Sequence, residues 1–278
     1  MRGQRRDGDR HHWLCHEERV PQALAEEVMA LFGISPTFLV LTSVVGFFGF
    51  VVSATFGIGG VVLLIPLLSM ALPPAQAVAV SAPIMLVNNL GKSWVFRHAV
   101  NVKATLLVSA LALPAAYLTA RLASTVDDRL ILVAVAVLVL VSVVVDRLRT
   151  ASTRPMGDLA LLLWGGLTGA ISGICGAAGP PTAIGLRGYG LSKDAFVGTV
   201  AVFAVFLQLA KIPAYASTGA LPASLLPLAA FLGALGLVAV AVGPPLLRRV
   251  PEEQFRLVVD GLLVVSAVWL IGEVLFMR

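Results

Sequence analysis

Charge is scarce in this chain: 13% of its 278 residues are Asp, Glu, Lys or Arg, and 58% are hydrophobic. No soluble domain needs that much apolar surface to fill a core. Cysteine is scarcer still. Cys15 and Cys175 alone exclude a disulfide framework. Of the 4 histidines, His98 is the one that lies beyond residue 36. That part of the chain also has no carboxylate pair within an apolar run and no cluster at metal-ligand spacing. A membrane-embedded enzyme needs nucleophiles, acid pairs or metal ligands, so this class is disfavoured. Strict alternation of polar and apolar residues is missing too, which excludes a closed β-barrel. The net charge of +5 is modest, and the basic residues lie between apolar runs. They read as topology signals rather than a nucleic-acid surface.

What remains is a series of apolar runs of about 20 residues, each long enough to cross a bilayer as a helix. In lipid the backbone must satisfy its own hydrogen bonds, so continuous runs mean helices. The runs fall into two copies. Ser53-Ala54-Thr55-Phe56-Gly57-Ile58-Gly59-Gly60 returns, 119 residues later, as Ser172-Gly173-Ile174-Cys175-Gly176-Ala177-Ala178-Gly179. At the same offset Gly46 meets Gly165, Leu72 meets Leu191, Lys92 meets Lys211 and Ala120 meets Ala239. Duplicated halves with glycine-broken helices at matching positions point to a transporter's binding site.

Residues 1–36 form a polar tail with five arginines and six acids, expected to be disordered. His11, His12, Cys15 and His16 lie close together there, but a solvated tail accounts for them and no metal is assigned. The first repeat is expected over 37–146, with apolar pieces at 37–56, 58–72, 77–96, 104–121 and 129–146. A linker covers 147–158. The second repeat fills 159–278, with pieces at 159–175, 177–190, 194–214, 222–247 and 254–275. Past Ser124 the offset grows to 125, so Asp127-Asp128 matches Glu252-Glu253 at the start of each repeat's last helix.

Whether the short second piece crosses or turns back, the chain regains its starting side before three further crossings. Each copy then reverses side, and the second copy is inverted relative to the first. The basic residues agree. Arg97, Lys103, Arg147, Arg149, Arg154, Arg187, Lys193, Arg248, Arg249 and Arg256 share one side; Arg121, Arg129 and Arg278 share the other with the tail. The linker side is therefore cytoplasmic. A model of eight crossings with parallel copies splits the same residues six to seven, with no bias. The expected fold is an all-α integral membrane protein of two inverted repeats, each a glycine-broken hairpin plus three transmembrane helices, with 8–10 membrane segments in all.

Gly57, Gly59 and Gly60 end one helix and begin another; Gly176 and Gly179 do the same in the second copy. A helix beginning at such a break carries unpaired N–H groups and the positive end of its dipole, which together attract anions. Ser53 and Ser172, one turn earlier, add hydroxyls. Lys92 and Lys211 lie inside otherwise apolar helices, near the polar Asn89 and Gln208. Intramembrane charge is costly and marks function, although lysines near helix ends can also snorkel to the interface. Asp260 is the carboxylate deepest in an apolar run, a candidate for a coupling proton or a partner for a lysine. Cys175 reads best as a small buried apolar residue.

Phe56-Gly57-Ile58-Gly59-Gly60 with Leu63-Leu64-Ile65-Pro66-Leu67-Leu68 resembles the signature of the TauE/SafE sulfite exporter family. Leu72 to Ser81, the loop Arg97 to Val102, and Ser172 to Pro180 are similar to further family blocks. The resemblance covers about 37–275. Where the family commonly has a third glycine, this chain has Ala177-Ala178. The resemblance implies export of a small anion (sulfite, a sulfonate or another organosulfur anion) across the cytoplasmic membrane by a multi-pass protein. A coupling proton is a candidate partner, and no cofactor or nucleic acid is implied. A small-carboxylate carrier and an anion channel are the alternatives.

Overall fold

A computed structural model describes residues 26–57, 60–123, 155–191 and 193–249, with isolated positions at 125–127, 130, 133, 137, 251 and 254. Apart from those isolated positions, the last helix expected in each repeat, 129–146 and 254–275, lies outside the described residues, as do Gly59, Asp260 and residues 1–25.

The described residues are helical throughout, without strands. A helix, α1, runs through 26–32, inside the stretch the sequence assigned to a polar tail. Its Phe32 packs against Phe231 with ring centroids 5.5 Å apart, so this end of the stretch belongs to the bundle. Next come α2 (Pro36–Phe56), α3 (Gly60–Ser69), α4 (Pro74–Val95) and α5 (Val102–Ala123). The second copy supplies α6 (Asp158–Cys175), α7 (Gly179–Gly188), α8 (Lys193–Ser217) and α9 (Leu226–Arg249).

Local sequence explains the boundaries. Ser35 caps α2 by accepting from the Phe38 N–H, and Pro36 fills the first turn, where no N–H is needed. Five of the described helices are long and apolar enough to cross a membrane. With 22 residues α4 is about 33 Å long, sufficient to span, but Asn88, Asn89 and Lys92 dilute its hydropathy. In contrast α3 and α7 have 10 residues each, about 15 Å, half of the hydrocarbon core. Neither crosses alone; each folds back on the helix before it, as half of a hairpin.

Packing between the copies is reciprocal. The register equates α2 with α6, α3 with α7, α4 with α8 and α5 with α9. Helix α5 packs on α6, and α9 packs on α2; α5 packs on α8, and α9 packs on α4; α4 and α8 pack on each other at the centre. Such an exchange is what a two-fold relation between copies produces. It holds for single residues as well. A Cβ on Gly57 would touch Val197, and one on Gly176 would touch Val78, its mate 119 positions earlier.

The two versions of the α5/α6 contact differ in tightness. Gly165, Gly169 and Gly173 present one bare stripe of α6 to Val108, Ala112 and Ala116 of α5, and a Cβ on Gly169 would lie 2.6 Å from the Ala112 Cα. Small residues at every fourth position allow such backbone approach in membranes, where dispersion and not hydrophobicity joins helices. In the first copy the matching positions are Gly46, Phe50 and Ala54. Phe50 is fully buried, and α2 approaches α9 closely where Ala54 faces Gly243.

Candidate functional site

Both glycine breaks have the same backbone. Gly57 (φ 80°) and Gly176 (φ 71°) terminate α2 and α6 in the left-handed region that glycine favours. Each donates its N–H to the carbonyl four residues back, Ser53 or Ser172, at 2.9 Å. The short helices α3 and α7 then start at Gly60 and Gly179.

The two matched lysines point inward. Lys92 is 0% and Lys211 1% exposed, so neither snorkels to the surface. Lys92 Nζ donates to Ser53 Oγ at 2.9 Å, and Lys211 Nζ to Ser172 Oγ at 3.0 Å. Each pair spans 39 residues, so the repeat reproduces the hydrogen bond itself. Lys211 Nζ also reaches the Gly176 carbonyl at 3.0 Å. Among the described residues no carboxylate pairs with either ammonium; the salt bridge there, Lys103–Asp158, is at the surface. A buried ammonium without a counter-charge is strongly disfavoured, and such a group inside a membrane marks function.

The breaks meet around a cavity of about 40 Å³. The first copy contributes Ser53, Gly57, Gly60, Met85, Asn89 and Lys92. The second contributes Gly176, Ala178, Gly179, Thr182, Val200, Phe203, Ala204 and Gln208. Gly57/Gly176, Gly60/Gly179, Met85/Ala204 and Asn89/Gln208 are repeat mates, so the wall itself is duplicated. Gln208 is buried with Oε1 unpartnered among the described residues. Such an acceptor is costly unless a hydrogen-bond donor in the cavity meets it.

Most of the residues singled out in the sequence therefore converge. Ser53, Gly57, Gly60, Asn89, Lys92, Gly176, Gly179 and Gln208 share one cavity. Ser172 and Lys211 stand behind the second break rather than on the wall. Gly59 and Asp260 lie outside the described residues. Cys175 is buried, free and away from the lining. Ala178, of the Ala177-Ala178 pair where the family commonly has a glycine, is part of the wall. Met85 and Ala204 escaped the sequence reading. Their signal was helical spacing, since 85, 89 and 92 share one face of α4, as 204, 208 and 211 share one face of α8. Tyr215, whose hydroxyl donates to the Gly173 carbonyl at 2.6 Å, was also missed. It lies one turn beyond Lys211.

The family model described as Sulfite exporter TauE/SafE matches residues 42–270, a span holding both breaks and both lysines. The chain belongs to the TauE/SafE sulfite exporter family. Comparison with curated proteins and with solved structures returned no match. The family is one of transporters, and its membership, with the apolar helices, makes this a multi-pass protein of the cell membrane. The cavity of this TauE/SafE chain thus brings the Lys92 amine, the Ser53 hydroxyl, the Asn89 and Gln208 side chains and the first residues of α3 and α7 together among apolar side chains.

Proposed function

We propose that the protein is a secondary transporter that exports a small sulfur-containing anion, with the cavity between the glycine breaks as its binding site. The observation that carries this reading is Lys92: fully buried, on the cavity wall, and without a carboxylate partner among the described residues. An anion there supplies the missing counter-charge and accepts from Lys92, Ser53 and the start of α3. Family membership supports sulfite, a sulfonate or a related organosulfur anion as the cargo.

Alternating access follows from a site between two like halves. If the halves are inverted, as the ten-to-three bias of basic residues outside the tail supports, each presents the same hairpin to opposite faces of the membrane. Rocking one half against the other then opens the site first to one side and then to the other. Asp260 is the candidate to carry a coupling proton.

Flux into proteoliposomes tests the reading. Sulfite, thiosulfate and sulfoacetate, offered with and without a proton gradient, are expected to give saturable flux, and acetate much less. Absence of saturable flux for every sulfur anion, or single-channel currents, would overturn it. A reporter joined near Arg149 is expected on the cytoplasmic side; an external position would remove the inverted arrangement.

A further inference from the structure

Repeat symmetry suggests equal roles for the two lysines, but their surroundings differ. Lys211 is committed: it donates to Ser172 Oγ and to the Gly176 carbonyl, both at 3.0 Å. Tyr215, one turn on, donates to the Gly173 carbonyl at 2.6 Å. Three hydrogen bonds thus fasten α8 to the last turn of α6 and to the break itself. In the first copy Lys92 has one acceptor among the described residues, Ser53 Oγ at 2.9 Å. The mate of Tyr215 is Phe96, which has no hydroxyl. An ammonium has three N–H donors, so two on Lys92 are unspent among the described residues. Lys92 lines the cavity and Lys211 does not.

The helix starts differ in the same sense. Helix α7 opens Gly179-Pro180-Pro181-Thr182. The prolines have no N–H to offer, which leaves that of Gly179 among the first three residues. Helix α3 opens Gly60-Val61-Val62, with no proline. A Cβ on Gly60 would lie 3.0 Å from the Ser53 Cβ, so glycine brings this helix start up to the serine that Lys92 holds.

We propose that the two matched lysines have divided their work: Lys92, with Ser53 and the start of α3, takes the anion's charge, whereas Lys211 is a positioning residue that holds the second break in shape. The inference rests on the cavity being the anion site. Lys92 needs its positive charge; Lys211 needs only its hydrogen bonds, which a neutral donor can partly replace.

The test is saturable flux of radiolabelled sulfite and methanesulfonate into proteoliposomes, with the melting temperature of each variant recorded alongside. Lys92→Gln is expected to raise KM by roughly 10- to 100-fold, the range for a lost charge-assisted hydrogen bond, without a lower melting temperature. Lys211→Gln is expected to hold KM within about threefold while lowering both melting temperature and maximal flux. Equal KM increases in the two variants, or a larger one in Lys211→Gln, overturn the division. If Lys211→Gln fails to accumulate, Lys92→Gln decides alone: an unchanged KM overturns the proposal. Lack of saturable wild-type flux for either anion would remove the transport reading and this inference with it. Wild-type flux with indistinguishable variants removes the inference only.

Discussion

Gly165→Ala is expected to weaken the α5/α6 contact severely, while Gly46→Ala, the same change at its repeat mate, is expected to be harmless. A Cβ on Gly165 would lie 2.9 Å from the Val108 carbonyl carbon, 3.0 Å from its Cα, and against its carbonyl oxygen. These are backbone atoms in the middle of a helix and cannot turn aside as a side chain does. Overpacking usually costs 1–3 kcal/mol, and a rigid neighbour places this case at about 3 kcal/mol or more. The melting temperature should fall by roughly 6–12 °C. On Gly46 the nearest atoms would be Phe50 and Leu64 side-chain carbons at 3.8 and 3.9 Å, ordinary contact. Alanine's better helix propensity there stabilises by up to about 1 kcal/mol. Thermal melting of the two variants in one detergent checks both. Equal losses would mean that the two interfaces are equally tight, contrary to the geometry.

The second large effect is expected at the breaks. Alanine at Gly57 or Gly176 must adopt a left-handed backbone (φ 80° or 71°), at about 1–2 kcal/mol. At Gly176 the new methyl also meets Ile65 Cδ1 at 2.9 Å and Val78 Cγ1 at 3.0 Å; at Gly57 the nearest atom is Phe196 Cε1 at 3.3 Å. Both substitutions shift the start of a short helix relative to the cavity. Misplacement on the scale of an ångström can cost a site 100-fold, so sulfite flux is expected to drop roughly 10- to 100-fold in each. Gly176→Ala is expected to be the less stable of the pair. Wild-type flux in both variants would show that the breaks do not set the site.

Much of this was written in the sequence because the repeat doubles every signal. Lys92 and Lys211 were marked by charge within apolar runs, and their serines by position before matched glycines. The 39-residue spacing that became the Lys92–Ser53 and Lys211–Ser172 hydrogen bonds was visible as register. What periodicity does not encode is which helix of one copy meets which of the other. The pairing of α5 with α6 depends on interlocking small residues, and the stripe at 165, 169 and 173 shows that α6 seeks a close partner without naming it. Nor did the duplication reveal where the copies diverge in role. Phe50 in place of a glycine, Phe96 in place of Tyr215, and Pro180-Pro181 at the start of α7 each change a local balance of donors or space. Their consequence emerges only once neighbours are known.

Binding without transport tests the central claim most directly. The claim is that one anion sits between the halves against Lys92. Purified protein is melted with methanesulfonate or sulfite raised in steps, with chloride held at matching ionic strength. At 100 times its Kd, a ligand of the folded state stabilises by about 2.7 kcal/mol. That corresponds to a melting rise of roughly 5–10 °C. The account predicts this rise in the wild type and, at the same concentrations, about half of it or less in Lys92→Gln. No rise with either anion, or the same rise in Lys92→Gln as in the wild type, would contradict it.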